Sequence, residues 1–281
     1  MAAAMTRAAL LMIFGMFLIP LSDSAGKLLV GQHNVAPQFV AWSRFAMGAL
    51  LLLPFLTRGE ARVHHLLDWR ITFRGALIAG GILSILTALQ SEPLPDVFAA
   101  FFIGPAVSYV LSIVLLGERV SLARSALLGV GFIGVLLVVR PGFGMTPGLG
   151  FAVLAGVFYG AYLVASRWLA GAASPRTLLL SQLVTGTVLL TPFAFLHWPE
   201  LSMTLAGLIA LSAAASMAGN YLLVIAYGMA PATRLAPFVY FQLIAAVALG
   251  WLIFSDLPDA LSWAGIALLV LSGFATLALR R

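Results

Sequence analysis

Three ionisable side chains stand where their surroundings oppose charge. In the stretch LIPLSDSAGKLLV, residues 18–30, Asp23 and Lys27 fall near the end of a run that is otherwise apolar, and Arg44 falls inside the next apolar run. A charged side chain at mid-membrane costs about 2.5–3.5 kcal/mol even on the gentler insertion scale, so each of these groups needs a partner or a task. Asp23 lies eight residues before the turn at Gly31 and Arg44 eight residues after the turn at Ala36. At about 1.5 Å per residue, both lie roughly 12 Å below the same surface. A hairpin of the two runs therefore lets them meet. Lys27 is one turn shallower on the face of Asp23 and can snorkel outward or join the pair. Two readings stay open: a structural Asp23–Arg44 pair that fixes the hairpin, or an Asp23 that faces a cavity and there meets a substrate amine or exchanges a proton. The same run also has the outline of a signal peptide, with Arg7, an apolar core and then small residues. Its extension to Val30, and a counterpart at 148–170, favour a retained first span.

Other residues suited to binding lie at the centres of apolar runs: Pro20, Ser84, Pro105, Tyr159, Asn220, Tyr221, Tyr240 and Gln242. Unsatisfied amides are costly in hydrocarbon, so Asn220 and Gln242 are expected to face the interior, lining a cavity or bonding between helices. The aromatic clusters FAAFF (98–102, which includes Phe101), FYGAY (158–162) and FVYF (238–241) suit a flat or apolar ligand, whose cation can lie over a ring face; core packing is the other reading. The expected substrate-binding set is Ser84, Phe101, Tyr159, Asn220, Tyr221, Tyr240 and Gln242. Pro20, Pro105 and Pro237 are expected to bend the helices that carry them, and Gly80, Gly81 and Gly219 allow close helix approach.

Catalytic chemistry has little support. His33, His64, His65 and His197 are all in or beside loops, and no HExxH or GxSxG motif occurs, so neither catalytic residues nor a metal site is expected. The absence of cysteine removes disulfides, cysteine-based zinc sites and iron–sulfur clusters. No GxxxxGK[ST] loop is present to bind ATP, and no cofactor is expected. The net charge of +6 is scattered over short loops without a basic patch, which argues against a nucleic-acid partner.

The elements that must position these residues follow from composition. Of 281 residues, 62% are hydrophobic and 9% charged, with a mean hydropathy of +1.09. A soluble domain carries about 25% charged residues, so this chain takes the lipid bilayer as its outer solvent. Ten apolar runs of spanning length lie near 8–30, 38–57, 72–91, 95–115, 121–139, 148–170, 177–196, 204–227, 233–254 and 260–279. Their length and lack of alternation imply an all-α integral membrane protein of ten transmembrane helices. With a cytoplasmic N-terminus, that side holds Arg7, Arg58, Arg62, Arg70, Arg74, Arg119, Arg124, Arg167, Arg176, Arg234, Arg280 and Arg281, and the other side Arg140 alone. This bias places both termini in the cytoplasm.

The chain also repeats. At one constant offset, the one that carries position 37 to position 175, PQFVAWSRFAMGALLLLPF (37–55) aligns with PRTLLLSQLVTGTVLLTPF (175–193). Pro37, Ser43, Gly48, Leu51, Leu52, Pro54 and Phe55 recur as Pro175, Ser181, Gly186, Leu189, Leu190, Pro192 and Phe193. Gly81, Ala88 and Pro93 pair likewise with Gly219, Ala226 and Pro231, and LLGE (115–118) pairs with IFSD (253–256). Two five-helix units, 1–142 and 143–281, form one transmembrane domain. An odd number of spans makes the second unit enter from the opposite side, with the Glu118 turn and the Asp256 turn on opposite faces. Inverted repeats give inward- and outward-open states of similar energy, which makes a transporter the expected function.

With Arg44, GP (104–105), LLGERVS (115–121) and GVLLVVRPG (134–142) in these positions, the chain resembles the drug/metabolite transporter superfamily in its EamA-type branch. Among close relatives it is most similar to bacterial inner-membrane exporters of aromatic amino acids and methyl viologen. The second copy departs from the pattern: Gln182 replaces Arg44, Leu243 replaces Pro105 and Asp256 replaces Glu118. The resemblance implies a midplane cavity lined by the first, third, fourth, sixth, eighth and ninth spans. It also implies a multi-pass protein of the bacterial inner membrane that exports small amphipathic metabolites, aromatic or other apolar amino acids above all, or cationic drugs. Ten spans suffice for one internal pathway, so the chain is expected to work as a monomer. A channel or a non-transporting membrane partner is the alternative of another class.

Overall fold

The computed structural model describes residues 2–56, 68–117, 122–141, 144–169, 171–229 and 235–278, and every regular element among them is helical. Helix α1 (Ala2–Lys27) ends in a π-helical turn, Leu28–Gln32, and α2 (Pro37–Leu52) ends in a 3-10 turn, Leu53–Phe55. Then follow α3 (Trp69–Ala88), α4 (Leu94–Phe101), α5 (Gly104–Leu116), α6 (Leu122–Val139), α7 (Pro147–Trp168), α8 (Pro175–Leu196) and α9 (Met203–Met229). A 3-10 turn, Ala236–Tyr240, leads into α10 (Phe241–Phe254), and α11 (Ala260–Ala278) closes the chain. Seven helical stretches are long and apolar enough to cross a membrane: Met5–Gln32, Pro37–Phe55, Trp69–Ala88, Leu94–Leu116, Pro147–Trp168, Pro175–Leu196 and Met203–Met229. Three further apolar helices are shorter: Ser125–Val139, Phe238–Phe254 and Ala260–Ala275. The Glu118 turn, Pro231, His64, His65, Arg58, Arg62, Arg119, Arg234, Arg280 and Arg281 lie outside the described residues.

Local chemistry sets the helix ends. Pro37, Pro147 and Pro175 occupy the first helical turn, where a missing N–H costs nothing. Thr146 and Ser174 cap the latter two by accepting from Leu149 N and Thr177 N at 3.1 and 3.2 Å. Gly117 (φ 67°) and Ser255 (φ 57°) close α5 and α10 in the left-handed region.

Two of the three expected helix-bending prolines act differently. Pro105 stands in the first turn of α5, after Phe102 and Ile103 interrupt the helical run, so it marks a break instead of a bend within a helix. Having no N–H, it cannot bond the carbonyl of Phe101, where α4 ends. Pro237 lies in the 3-10 turn before α10. Pro20 alone of the three sits inside a helix, and α1 continues through it.

The helices pack mainly across the two halves of the chain: α1 on α9, α3 on α7, α2 on α8, and α6 on α11. Without a hydrophobic drive between helices in lipid, close approach through small residues supplies the attraction. A Cβ added to Gly134 would lie 2.6 Å from the Gly265 carbonyl oxygen, and one on Gly265 2.5 Å from that of Gly134, so α6 and α11 touch backbone to backbone. Gly15 and Gly219 bring α1 and α9 together in the same reciprocal way, at 3.1 and 3.2 Å. Leucines and valines such as Val114, Leu122, Val188 and Leu271 point outward, as a lipid-facing surface requires.

One charge assignment changes. Arg74, counted above with the loop arginines, lies five residues inside α3 and is buried. At the end of the bundle where α1 finishes, Lys27 Nζ meets Asp256 Oδ2 at 2.5 Å, so the lysine snorkels outward and does not join Asp23. Arg140 pairs there with Asp259. The Arg140 guanidinium, with the Ser262 backbone N–H, holds the Asp259 carboxyl down at about 2. A depressed carboxyl contributes above the ordinary carboxylate range and is lost only as pH falls through its own value, so this pair stays ionised from mildly acidic to neutral pH.

Two alanine substitutions on α6 test the packing. Gly134→Ala must push α11 away and lowers stability by roughly 1–3 kcal/mol. Gly129→Ala on the same helix meets nothing within 4 Å and leaves stability equal or slightly higher. Thermal unfolding in detergent reads both; equal behaviour of the two variants would contradict the close contact.

Candidate functional site

Two buried polar clusters stand in the bundle, each centred on an arginine. In the first, Arg44 Nη1 donates to Asp23 Oδ1 at 2.5 Å, Nε to Ser212 Oγ at 2.7 Å, and Nη2 to the Ser22 carbonyl at 2.8 Å. Ser22 Oγ donates to the Ser212 carbonyl at 2.8 Å, and Ser212 Oγ returns a bond to that of Ser22 at 3.1 Å. The side chains of Arg44 and Asp23 are 3% and 5% exposed. Gly26 leaves the space that the guanidinium fills. The charge is neutralised in place and ties α1, α2 and α9 together, which favours the structural reading of the pair over an Asp23 that meets substrate.

The second cluster joins α3, α7 and α8. Arg74 Nη2 donates to the Tyr162 hydroxyl at 2.6 Å, Nε to Ser166 Oγ at 2.7 Å, and Nη1 to the Leu178 carbonyl at 3.1 Å. Its guanidinium carbon lies 4.4 Å from the centre of the Tyr162 ring. The Tyr162 hydroxyl in turn donates a hydrogen bond to Gln182 Oε1 at 2.9 Å. The repeat offset carries Arg44 onto Gln182, and it carries Arg74 onto Ser212. Both arginines thus come from the first unit, one from α2 and the other from α3, and the second unit carries Gln182 and Ser212 at the matching positions.

Aromatic rings extend the second cluster. Tyr159 stacks on Tyr162 with ring centres 6.0 Å apart and meets Phe101 at 4.9 Å. Tyr227 of α9 is an electrostatic neighbour of both tyrosines. These phenols come from helices of two different close pairs, α3–α7 and α1–α9. Tyr227 is 42% exposed.

Of the residues expected to bind substrate, Phe101 and Tyr159 are brought to this group. Tyr240 turns elsewhere: it packs on Phe102 at 5.3 Å and Phe274 at 6.4 Å, its ring filling the space that Gly273 leaves. Tyr221 stacks on Phe55 at 5.1 Å with Arg176 5.8 Å above its ring, at the seam of α2, α8 and α9. Asn220 donates to the Ser216 carbonyl in its own helix at 2.8 Å and bridges no helices by that bond. Ser84 and Gln242 are buried, at 6% and 7% exposure. Arg74, Tyr162, Gln182, Ser212 and Tyr227 were not in the expected set. The signal for them was the offset itself, which places Gln182 on Arg44 and Ser212 on Arg74. Among the described residues no group of three or more His, Asp or Glu side chains is arranged to hold a metal.

Comparison with known proteins places the chain among transporters of one family. The model of the EamA-like transporter family matches residues 6–140 and again 146–278. The riboflavin transporter of Rhizobium johnstonii is 30% identical over 82% of this chain and 77% of its own length. The S-adenosylmethionine uptake transporter of Rickettsia conorii is 24% identical over 91% and 89%, and the pseudopaline exporter CntI of Pseudomonas aeruginosa 27% over 84% of each. A crystal structure 18% identical in sequence superposes with a TM-score of 0.67 over 98% of this chain and 97% of the other, which shows likeness of fold.

Breaking the first cluster should be costly. Arg44→Gln strands the Asp23 carboxylate and lowers stability by about 3–5 kcal/mol. Adding Asp23→Asn removes the stranded charge and restores part of the loss. Melting curves of the single and double variants measure this; an Arg44→Gln protein as stable as the parent would contradict it.

Proposed function

The chain belongs to the EamA-like transporter family, and from that premise we propose that it is a secondary carrier working by alternating access between two inverted five-helix units, 1–142 and 143–281. One observation carries this reading. When each helix is exchanged for its counterpart in the other half, the contacts map onto themselves: α1 on α9 becomes α7 on α3, α1 on α10 becomes α7 on α5, and α2 on α9 becomes α8 on α3. The α2–α8 and α6–α11 contacts map to themselves. A pseudo-twofold axis in the membrane plane produces such a pattern, with ten spans and both termini on one face. Gly117 and Ser255, which end equivalent helices and are both left-handed, are related by the same offset. The two separate family matches, one in each half, support it further.

In this reading the carrier works in the bacterial inner membrane as a monomer, and its substrate path runs between the α3–α7 and α1–α9 pairs. Its substrate is a small amphipathic metabolite with a flat ring, held by Phe101, Tyr159, Tyr162 and Tyr227. Riboflavin and S-adenosylmethionine, named for two of the relatives, each carry a flat heteroaromatic ring. Those names do not extend to aromatic amino acids. They include uptake as well as export, so they lend no support to a direction.

Reconstitution in liposomes tests the carrier. Labelled riboflavin, S-adenosylmethionine and tryptophan are offered with and without unlabelled compound inside. A carrier gives saturable entry of at least one, accelerated by internal substrate. Linear flux without such acceleration would indicate a channel, and no flux a non-transporting protein. Because Asp23 is held by Arg44, Asp23→Asn is expected to keep the pH profile of the remaining flux; loss of its pH dependence would make Asp23 a proton carrier.

A further inference from the structure

We propose that Arg74 is the receptor for an anionic group, a carboxylate or phosphate, on the molecule that the protein carries. The inference deepens the carrier reading and rests on it for the substrate path between the α3–α7 and α1–α9 pairs.

Four features of the second cluster point there. First, the charge is not neutralised. Arg74 is 6% exposed, yet its partners are a hydroxyl, a phenol and a carbonyl, and no carboxylate among the described residues pairs with it. The sister cluster, built on the corresponding helices, holds Asp23 for this purpose. Taking a guanidinium out of water without a counter-charge is unfavourable, and the Tyr162 ring face offsets this only in part.

Second, the surroundings do not need the arginine. Ser166 Oγ already donates to the Tyr162 carbonyl, the Tyr162 hydroxyl to Gln182, and the Leu178 carbonyl already accepts from Ser181 Oγ. Removing Arg74 therefore strands none of them, whereas removing Arg44 strands Asp23. A side chain that costs desolvation and satisfies no orphan is retained for something else.

Third, the guanidinium has N–H capacity left. It carries five N–H groups. Three are used among the described residues, which leaves one on each terminal nitrogen. A carboxylate or phosphate accepts from both. Fourth, a ring shelf adjoins the charge. Tyr162 stacks on Tyr159, which meets Phe101, so a ligand bonded to Arg74 can lay a flat ring against these faces. The chemistry selected is an aromatic anion.

Matched probes test this on the purified full-length chain at constant ionic strength. Indole-3-acetate is compared with indole-3-acetamide, and riboflavin 5′-phosphate with riboflavin, by ligand-dependent melting temperature. In the parent protein the charged member of at least one pair is expected to bind more tightly than its neutral partner. A split in the first pair alone identifies a carboxylate site, and in the second alone a phosphate site. Arg74→Gln is expected to melt no lower than the parent without ligand and to weaken the preferred anion about thirtyfold or more, erasing the split. Arg74→Lys keeps part of it. The proposal is overturned if neither pair splits, if the split survives Arg74→Gln, or if Arg74→Gln fails to fold, which would make the arginine a structural tie. Binding without flux would overturn the carrier and leave the anion site standing; carrier flux with no split between partners would do the reverse.

Discussion

Lipid supplies no hydrogen bonds, so every buried polar group in this bundle has to be satisfied by another helix, and the helices that do so come largely from the other half of the chain. Arg44 of α2 reaches Asp23 and Ser22 of α1, but its Nε needs Ser212 of α9. Arg74 of α3 finds all its partners on α7 and α8. The close α1–α9 and α3–α7 contacts that glycine and alanine permit bring those donors and acceptors into reach. The first half shelters neither of its two buried arginines without the second. The demand for internal satisfaction thus ties the architecture to the site.

The two clusters share positions but differ in electrostatics. One holds an arginine against an aspartate, and the other an arginine against neutral oxygens and a ring face. A paired cluster serves as a fixed tie. An unpaired one has capacity for a ligand. Both arginines stand in the first unit, Arg44 on α2 and Arg74 on α3, and the second unit carries the neutral Gln182 and Ser212 at the matching positions. At the end of the bundle where α1 finishes, Lys27–Asp256 and Arg140–Asp259 join segments distant in sequence; the first pair is half-buried, and the second is exposed, where such pairs are worth less.

Much of this was legible in the sequence. Apolar run lengths located the helices, and the depth count from Gly31 and Ala36 brought Asp23 to Arg44. Proline and glycine matches at one offset pointed to a duplication. Three things were not legible. Arg74 sits close enough to the Trp69 interface to pass for a loop charge, and only the packing of α7 and α8 over it reveals burial. Side-chain direction depends on helix rotation, which a run hydrophobic on all sides does not encode; hence Tyr240 and Tyr221 face away from the group that holds Tyr159. Pro105 looks like a mid-span bend because the break at Phe102 and Ile103 depends on Gly104 packing against α7, where a Cβ would lie 3.0 Å from the Gly156 carbonyl oxygen.

Carrier, substrate path and anion receptor all depend on the second unit being the first turned over in the membrane. The chain has no cysteine, so single cysteines at Gly117 and Ser255, equivalent turns of the two units, can be labelled in intact cells with a membrane-impermeant maleimide. Inversion predicts that the cysteine at 255 reacts from outside and that the one at 117 reacts only after the membrane is opened. Labelling of both from the same face would contradict the inversion and, with it, the carrier.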